Sequence, residues 1–205
     1  MKRPLRIGLL GPYHSRNFGD TAIQMAVISN LRRIFPNVKI VGICPDPPDT
    51  ERTHGIPAFP LSGLVWNDKA GCWQSPSMKV DLVYGNDIFH RVVRKLYSIY
   101  EERLGRLVNI SMCCRSLDVL LISGSGQLED FWGGPWKHPF SLLIWSLCSR
   151  FWGVKVIVFG IGWDNLSTRL GKFFAFSAMR LAHHRVFRDI GTVQKLLESG
   201  VRLES

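Results

Sequence analysis

The first part of the chain shows a strand pattern, then a helix pattern, then a strand pattern again. Residues Arg6–Leu10 form a short apolar run, which predicts a buried strand. The segment Asp20–Phe35 has apolar residues at a helical spacing, and Asp20 is placed to cap the predicted helix. Those apolar residues are Ile23, Val27, Leu31 and Ile34. Val38–Ile43 then predicts a second strand, so the unit is typical of a parallel pair with a right-handed crossover.

The alternation of strands and helices continues to the end of the chain. We predict a loop for the Pro-rich segment Cys44–Pro57, and residues 58–79 show no clean period. Beyond it, strands and helices are predicted in alternation. The predicted strands are Val80–Tyr84, Val119–Ser123, Lys155–Phe159 and one that begins at Val186–Phe187. The predicted helices that follow them in turn cover about 87–107 (a basic helix), about 139–151, 167–183 and Thr192–Ser199. This order predicts an α/β fold, Rossmann-like and doubly wound, with a mainly parallel sheet. At 205 residues we expect a single domain over 1–205.

The composition is that of a folded domain with an excess of positive charge. Hydrophobic residues make up 46 % of the chain, which excludes wholesale disorder, and the formal net charge is +10. We therefore expect an anionic partner, but no nucleic acid, because no DNA- or RNA-binding motif accompanies the charge. The cations of the 87–107 helix leave three interpretations open: a solvated face, a phosphate-binding groove or a membrane-surface patch.

Cysteine spacing and the lengths of the apolar runs argue against a metal site and a membrane span. The five cysteines form no C-x-x-C pair, so we expect reduced thiols in a cytoplasmic protein and no metal. The most apolar stretch, Phe140–Trp163, is interrupted by Arg150 and Lys155. It therefore predicts a buried helix followed by a buried strand rather than a membrane span.

Three glycine-bearing loops follow three of the predicted strands: Gly11–Asp20, Gly124–Gly134 and Gly160–Asn165. Because the carboxyl ends of parallel strands meet at one edge of a sheet, we expect the three loops to form a ligand crevice there. None of them is a complete dinucleotide fingerprint, and the chain has no P-loop motif.

Several side chains in these loops have suitable chemistry. In the first loop, Asp20 is either a helix cap or an acid, and His14 could donate a proton near neutral pH. The second loop places polar groups beside aromatic rings, a combination that commonly holds sugars. Its members are Glu129, Asp130, His138, Trp132 and Trp136.

A third group, FRDIGT, follows the last predicted strand. Arg188 could present its planar guanidinium to a carboxylate or phosphate, with Thr192 capping the next helix. The alternative is a surface ion pair between Arg188 and Asp189.

Five segments in order resemble the polysaccharide pyruvyl transferase family. They are NFGDTAI (Asn17–Ile23), CPDPPDTERTHGI (Cys44–Ile56), LLISGSGQLEDFWGGPW (Leu120–Trp136), VFGIGW (Val158–Trp163) and FRDIGT (Phe187–Thr192). The chain departs from the family pattern in two places, since Ser125 replaces a glycine and Thr192 stands where serine is usual.

The resemblance implies a reaction and an architecture. Such enzymes transfer the pyruvyl group of phosphoenolpyruvate to two hydroxyls of a sugar as a ketal, in the synthesis of exopolysaccharides or cell-wall glycans. They resemble the two-domain GT-B glycosyltransferases, and the resemblance covers only the first half, so we expect a second domain or a second copy to complete the site. It also implies an acceptor that is a sugar or lipid-linked glycan, contact with the cytoplasmic face of a membrane, and no metal or organic cofactor.

From the loops and the resemblance together we expect two sets of site residues. The expected catalytic residues are Asp20, Glu129 and Asp130, and the expected substrate-binding residues are Asn17, Gly19, Gly124, Gly126, Trp132, Gly162 and Arg188. By resemblance, Arg188 contributes to donor binding. Two other functions stay open: a sugar-binding or interaction module without catalysis, and the acceptor half of a nucleotide-sugar glycosyltransferase.

Overall fold

A parallel β-sheet of six strands forms the centre of the structure, a computed structural model that describes residues 3–11, 17–63, 65–67, 72–74, 104–124, 126–131 and 133–201. The strands in chain order are β1 (Arg6–Leu10), β2 (Lys39–Cys44), β3 (Ala58–Pro60), β4 (Val65–Asn67), β5 (Cys72–Gln74), β6 (Val119–Ser123), β7 (Lys155–Ile161) and β8 (His184–Phe187). The sheet has the order β3-β2-β1-β6-β7-β8, and β4 and β5 form a separate antiparallel pair. The predicted α/β fold with a doubly wound parallel sheet is confirmed.

The sheet order contains a switch between β1 and β6. From β1 the chain winds outward through β2 to β3, and from β6 it winds outward through β7 to β8. Ile7 of β1 pairs with Ile40 of β2 on one side and with Val119 of β6 on the other. In open α/β sheets, ligands bind beyond the carboxyl ends of the strands at such a switch point.

Helices cover both faces of the sheet. They are α1 (Phe18–Ile34), α2 (Pro47–His54), α3 (residues 104–115 in its described part), α4 (His138–Phe151), α5 (Arg169–Leu181) and α6 (Ile190–Glu198). On one face, Ile28 of α1 packs with Ile7, Leu9 and Leu121 of the strands. The opposite core is larger and contains the fully buried Trp145 of α4, packed with side chains of α3, α5 and α6.

The Pro-rich segment that we predicted as a loop is a helix, α2, for most of its length. The Asp46 carboxylate accepts a hydrogen bond from the Asp49 backbone N–H, so it caps the helix, and Pro47 and Pro48 occupy its first positions. Proline is favourable there because the first helical N–H groups have no intrahelical partner. Gly55, with φ of 59°, ends the helix in the left-handed conformation. The loop prediction is wrong because it counted these prolines as helix breakers.

Other boundaries also differ from the predictions. Residues 58–79, which had no assignment, contain β3, β4 and β5. The helix predicted to end near 107 continues to 115, while the predicted strand Val80–Tyr84 and residues 87–103 lie outside the described residues. The N-cap of α1 is Asn17 rather than Asp20, and the N-cap of α6 is Asp189 rather than Thr192.

The remaining elements agree with the predicted pattern. The predictions for β6, α4, β7, α5, β8 and α6 hold to within about two residues at most ends, the usual scatter of helix and strand boundaries. Among the described residues no helix is long and apolar enough to cross a membrane.

Candidate active site

The three glycine-bearing loops lie at the same edge of the sheet, since β1, β6 and β7 are parallel and adjacent. At the switch point, Gly11 follows β1 where there is no room for a side chain. A Cβ there would lie 2.5 Å from both the Ser123 carbonyl oxygen and the Gln24 Nε2 atom. Glycine at this position therefore allows the backbone after β1 to pass close to the end of β6.

A buried polar network joins α1 to the end of β6. The Ser123 carbonyl accepts hydrogen bonds from Gln24 Nε2 at 3.0 Å and from Gln127 Nε2 at 3.1 Å. Both amide side chains are almost completely buried. The Gln24 Oε1 and Ser123 Oγ atoms have no hydrogen-bond partner among the residues that the structure describes. This part of the switch point is therefore polar and buried, with one amide oxygen and one hydroxyl unpaired among the described residues.

Gln24 is a site residue that the sequence analysis missed. The predicted apolar face of α1 gave no reason to bury a glutamine, yet the buried residues of this helix are Asp20, Gln24 and Ile28. Their spacing of four places them on one face. The signal in the sequence is that two polar residues share this spacing with Ile28 directly after the first loop.

His138 is the first residue of α4 and belongs to the same network. Its Nε2 lies 2.7 Å from the Gln127 Oε1 atom. Burial lowers the pKa of His138 to about 4, although the hydrogen bond to Gln127 acts in the opposite direction. The imidazole is therefore neutral at pH 7 and donates its Nε2–H to Gln127, so it is unsuited to be the proton donor of a reaction there.

Asn17 and Asp20 hold the start of α1 by bonding to each other. The Asn17 side-chain oxygen accepts from the Asp20 backbone N–H, and Asn17 Nδ2 donates to the Asp20 carboxylate at 2.7 Å. This reciprocal arrangement resembles a capping box. Asp20 is 8 % exposed, and Gly19 is exposed in the first turn of the helix. His14 lies outside the described residues.

Asp130 is a buried structural carboxylate. It accepts four hydrogen bonds, from the backbone N–H and the hydroxyl of both Ser167 and Thr168, and so ties the second loop to the start of α5. Burial raises the pKa of this carboxyl, but the four hydrogen bonds outweigh it and leave the pKa below its ordinary value. The expected catalytic role of Asp130 stays a prediction, and its four hydrogen bonds favour a positioning role instead. Its neighbour Glu129 is half-buried.

Backbone hydrogen bonds join the second loop to the third. Leu128 N–H donates to the Gly162 carbonyl at 3.2 Å, and Asp164 N–H donates to the Leu128 carbonyl at 3.1 Å. Gly124 starts the second loop with φ of 122°, a conformation that side chains rarely adopt. A Cβ on Gly126 would lie 3.1 Å from the Asp164 carboxylate, so the two loops are in close contact.

Arg188 lies directly on the third loop. Its guanidinium packs against Gly162, where an added Cβ would be 2.7 Å from Cζ, and its Nε donates to the Asp189 carboxylate at 3.0 Å. The Arg188 side chain is 49 % exposed, and its two terminal nitrogens have no partner among the described residues. The guanidinium therefore combines a fixed position with open donors.

The Asp189 carboxylate is held from two sides. It accepts from the Thr192 backbone N–H at 2.7 Å as the cap of α6, and that bond together with Arg188 lowers the pKa of Asp189. The Thr192 hydroxyl, which we had expected to cap α6, instead accepts from the Trp163 backbone N–H at 2.9 Å. The last two loops are thus also joined.

The site residues fall into two groups along this edge. Gly124, Gly126, Asp130, Gly162 and Arg188 lie on loops that contact one another. Asn17, Gly19 and Asp20 lie beyond β1, which is three strand spacings, roughly 14 Å, from β8. Trp132 lies outside the described residues. No three His, Cys, Asp or Glu side chains gather as a metal-binding group in the part of the chain that the structure describes.

The model of the polysaccharide pyruvyl transferase family matches residues 17–204. The chain belongs to this family. The match begins at Asn17, the cap of α1, so it includes the end of the first loop and the whole of the second and third loops of the candidate site. A search of the curated proteins found no matching relative. Membership of the family indicates a transferase-like function with a sugar or glycan acceptor.

Proposed function

We propose that this chain binds phosphoenolpyruvate and takes part in transferring its pyruvyl group to two hydroxyls of a sugar as a ketal. The observation that carries the proposal is Arg188, whose guanidinium lies on Gly162 at the carboxyl edge with both terminal nitrogens open. A guanidinium with two open N–H donors matches the paired oxygens of a carboxylate or phosphate. The family membership supports the choice of reaction.

The reaction sets definite requirements. Two sugar oxygens form bonds to the central carbon of phosphoenolpyruvate, the methylene carbon takes a proton to become a methyl group, and the bond to the phosphate oxygen breaks. An acid must supply the proton, an acceptor must take protons from the hydroxyls, and cations must hold the donor. Asp20 and Glu129 are our candidates for proton transfer. Asp130 is not, because its oxygens already accept four hydrogen bonds, and His138 is not, because burial lowers its pKa to about 4.

We propose that the described edge forms one wall of the reaction cleft. Phosphoenolpyruvate carries a carboxylate and a phosphate, and the single positive charge of one guanidinium does not neutralise both. A second wall with further cations, from a second domain as in GT-B enzymes or from a second copy, completes the donor site in this proposal. In this proposal the protein acts in the cytoplasm, in the synthesis of an exopolysaccharide or cell-wall glycan.

The acceptor sugar is assigned to the aromatic side chains next to the second loop. Phe131 and Trp136 are largely exposed, and the Trp136 ring is held by Phe140 and Phe174 at centroid distances of 5.4 and 5.1 Å. A fixed, exposed ring offers an apolar face to the C–H groups of a sugar.

The proposal is tested by measuring phosphoenolpyruvate binding with calorimetry for Arg188→Lys and for a matched control, Arg180→Lys. Arg180 is exposed in the last turn of α5 and remote from the loops. We expect Arg188→Lys to weaken binding by about tenfold or more, because lysine cannot reproduce the planar pair of donors, and the control to leave it unchanged. Equal affinity in wild type and Arg188→Lys would mean that Arg188 serves only as the partner of Asp189.

The exposed rings favour a second candidate function, a sugar-binding module without catalysis. In that case Trp136→Ala weakens binding of a galactose- or mannose-type glycan, while phosphoenolpyruvate does not bind wild type at all. If wild type binds both ligands, and Arg188→Lys weakens binding of phosphoenolpyruvate while Trp136→Ala weakens binding of the glycan, the result supports the transferase.

A further inference from the structure

The outer surface of α3 and α4 exposes apolar side chains that no described element covers. Met112 is 55 % exposed, Leu147 44 % and Phe151 79 %. Leu107 and Val108 extend the same side of α3 by one turn. We call this surface the α3–α4 patch and define it by Leu107, Val108, Met112, Leu147, Phe151 and Trp152. Its size and continuity distinguish it from single exposed apolar residues, which are ordinary.

In the described parts of α3 and α4, every charged side chain is an arginine. Arg115 lies over the Trp152 ring, 5.1 Å from its centroid, and Arg150 precedes Phe151 at the end of α4. Residues 104–117 and 131–163, which contain the described part of α3 and the whole of α4, include no aspartate or glutamate, and Asp118, which follows directly, is paired with Arg3. The described surface of the two helices therefore joins apolar and cationic side chains, and this combination favours a partner that is apolar and anionic.

Trp152, at the centre of the cationic side of the patch, is held in place by a hydrogen bond between the two helices. Trp152 Nε1 donates to the Ser111 hydroxyl at 2.8 Å, which connects the end of α4 to the middle of α3. Between the helices runs a shallow groove of about 570 Å³, lined by Ser111, Leu147, Cys148, Arg150 and Phe151. Trp152 therefore has little side-chain entropy left to lose when a partner covers this surface.

We propose that the α3–α4 patch is a docking surface for an anionic lipid bilayer. Aromatic and aliphatic side chains enter the boundary between headgroups and acyl chains, while arginine side chains reach the lipid phosphates. Each arginine close to an anionic leaflet adds to the attraction, and salt screens that contribution. A protein partner would need acidic side chains around an apolar centre, whereas an anionic bilayer supplies both parts by its composition.

The patch is separate from the candidate active site. Phe151 and Trp152 lie at the end of α4, just before β7 begins, whereas the site lies beyond the carboxyl ends of the strands. Lipid binding is therefore independent of the proposed function, and the variants below use no residue placed in that site.

The test is co-sedimentation of the whole chain with two kinds of vesicle, pure phosphatidylcholine and phosphatidylcholine with about 30 % phosphatidylglycerol. We expect binding to the anionic vesicles only, and a decrease when salt rises from about 0.1 M to about 0.5 M. The apolar variant Leu147→Ser/Phe151→Ser and the charge variant Arg115→Gln/Arg150→Gln should each bind at least about tenfold more weakly.

Matched controls come from the opposite helix layer. Ile34→Ser removes an exposed apolar side chain from the last turn of α1, and Arg32→Gln/Arg33→Gln removes the same two charges as the charge variant. Both controls should bind vesicles like wild type, and amide hydrogen exchange should slow in residues 104–115 and 138–152 when anionic vesicles are added.

Three results would overturn the proposal: no vesicle binding by wild type, equal loss in patch and control variants, or a stable dimer that Leu147→Ser/Phe151→Ser converts to a monomer. The last would assign the patch to a second copy of the chain. Circular dichroism of each variant checks that it is folded, which we expect because the changed side chains are exposed.

Discussion

Asp130 and Arg188 are both charged residues of family-like motifs and both lie in loops at the carboxyl edge, but their surroundings are opposite in kind. Asp130 is buried and its oxygens accept four hydrogen bonds. Arg188 is half-exposed, makes one hydrogen bond to Asp189, and keeps its terminal nitrogens open. A carboxylate with all its acceptor positions filled supports the loops, whereas a guanidinium with open donors can bind a ligand.

The difference between the two side chains arises from the protein atoms that surround each of them. Asp130 lies next to the start of α5, where free backbone N–H groups and two hydroxyls converge, and Gly171 leaves room for its approach. Arg188 leaves the edge strand β8 and rests on a glycine, so protein atoms cover it from one side only. The sequence motif marks both residues as important, but only the surroundings distinguish support from binding.

The largest effect that we expect comes from Asp130→Ala. The change removes the acceptor of four hydrogen bonds from Ser167 and Thr168, and because both residues are exposed their donors can bond to water instead. We therefore expect the free energy of unfolding to fall by about 1–2 kcal/mol. Urea unfolding measures this. The control is Glu129→Gln at the neighbouring half-buried position, where we expect less than about 0.5 kcal/mol. Equal stabilities for wild type and Asp130→Ala would remove the structural assignment and restore Asp130 as a candidate for catalysis.

The pH dependence of stability sharpens the same comparison. Because the folded-state pKa of Asp130 is lowered, its ionised form stabilises the fold above the unfolded pKa of about 4, and that contribution is lost as pH falls through the folded pKa. Replacing Asp130 with asparagine should remove this part of the acid-induced loss of stability. The test is to measure the free energy of unfolding of wild type and of Asp130→Asn from neutral pH to about pH 3. If both lose stability equally steeply below about pH 4, the assignment is contradicted.

The fold could be predicted from the sequence to a greater extent than the site could. Alternating apolar runs and glycine-bearing turns identified most strands and helices, because burial sets those periods. The α2 helix was missed because prolines were counted as breakers rather than as first-turn residues, and α1 buries Gln24 where an apolar face was expected. The α2 error is local, because Asp46 caps that helix by bonding only three residues along the chain. The surroundings of Gln24 and Asp130 depend instead on partners distant in sequence: Gln24 bonds to Ser123, and the Asp130 donors are 37 and 38 residues away.

The smallest expected effect concerns the glycine beneath Arg188. In Gly162→Ala the new Cβ would lie 2.7 Å from Cζ of Arg188, and the flexible guanidinium can move away at little cost to stability. We therefore expect the free energy of unfolding to change by less than about 0.5 kcal/mol, while phosphoenolpyruvate binding weakens by several-fold, up to about tenfold.

The control is the double variant Gly162→Ala/Arg188→Lys. If Gly162 acts only by positioning the guanidinium, adding Gly162→Ala to Arg188→Lys should weaken binding no further. Additive losses in calorimetry would mean that the glycine backbone itself contacts the donor, and full affinity in Gly162→Ala would mean that the observed position of Arg188 is not needed for binding.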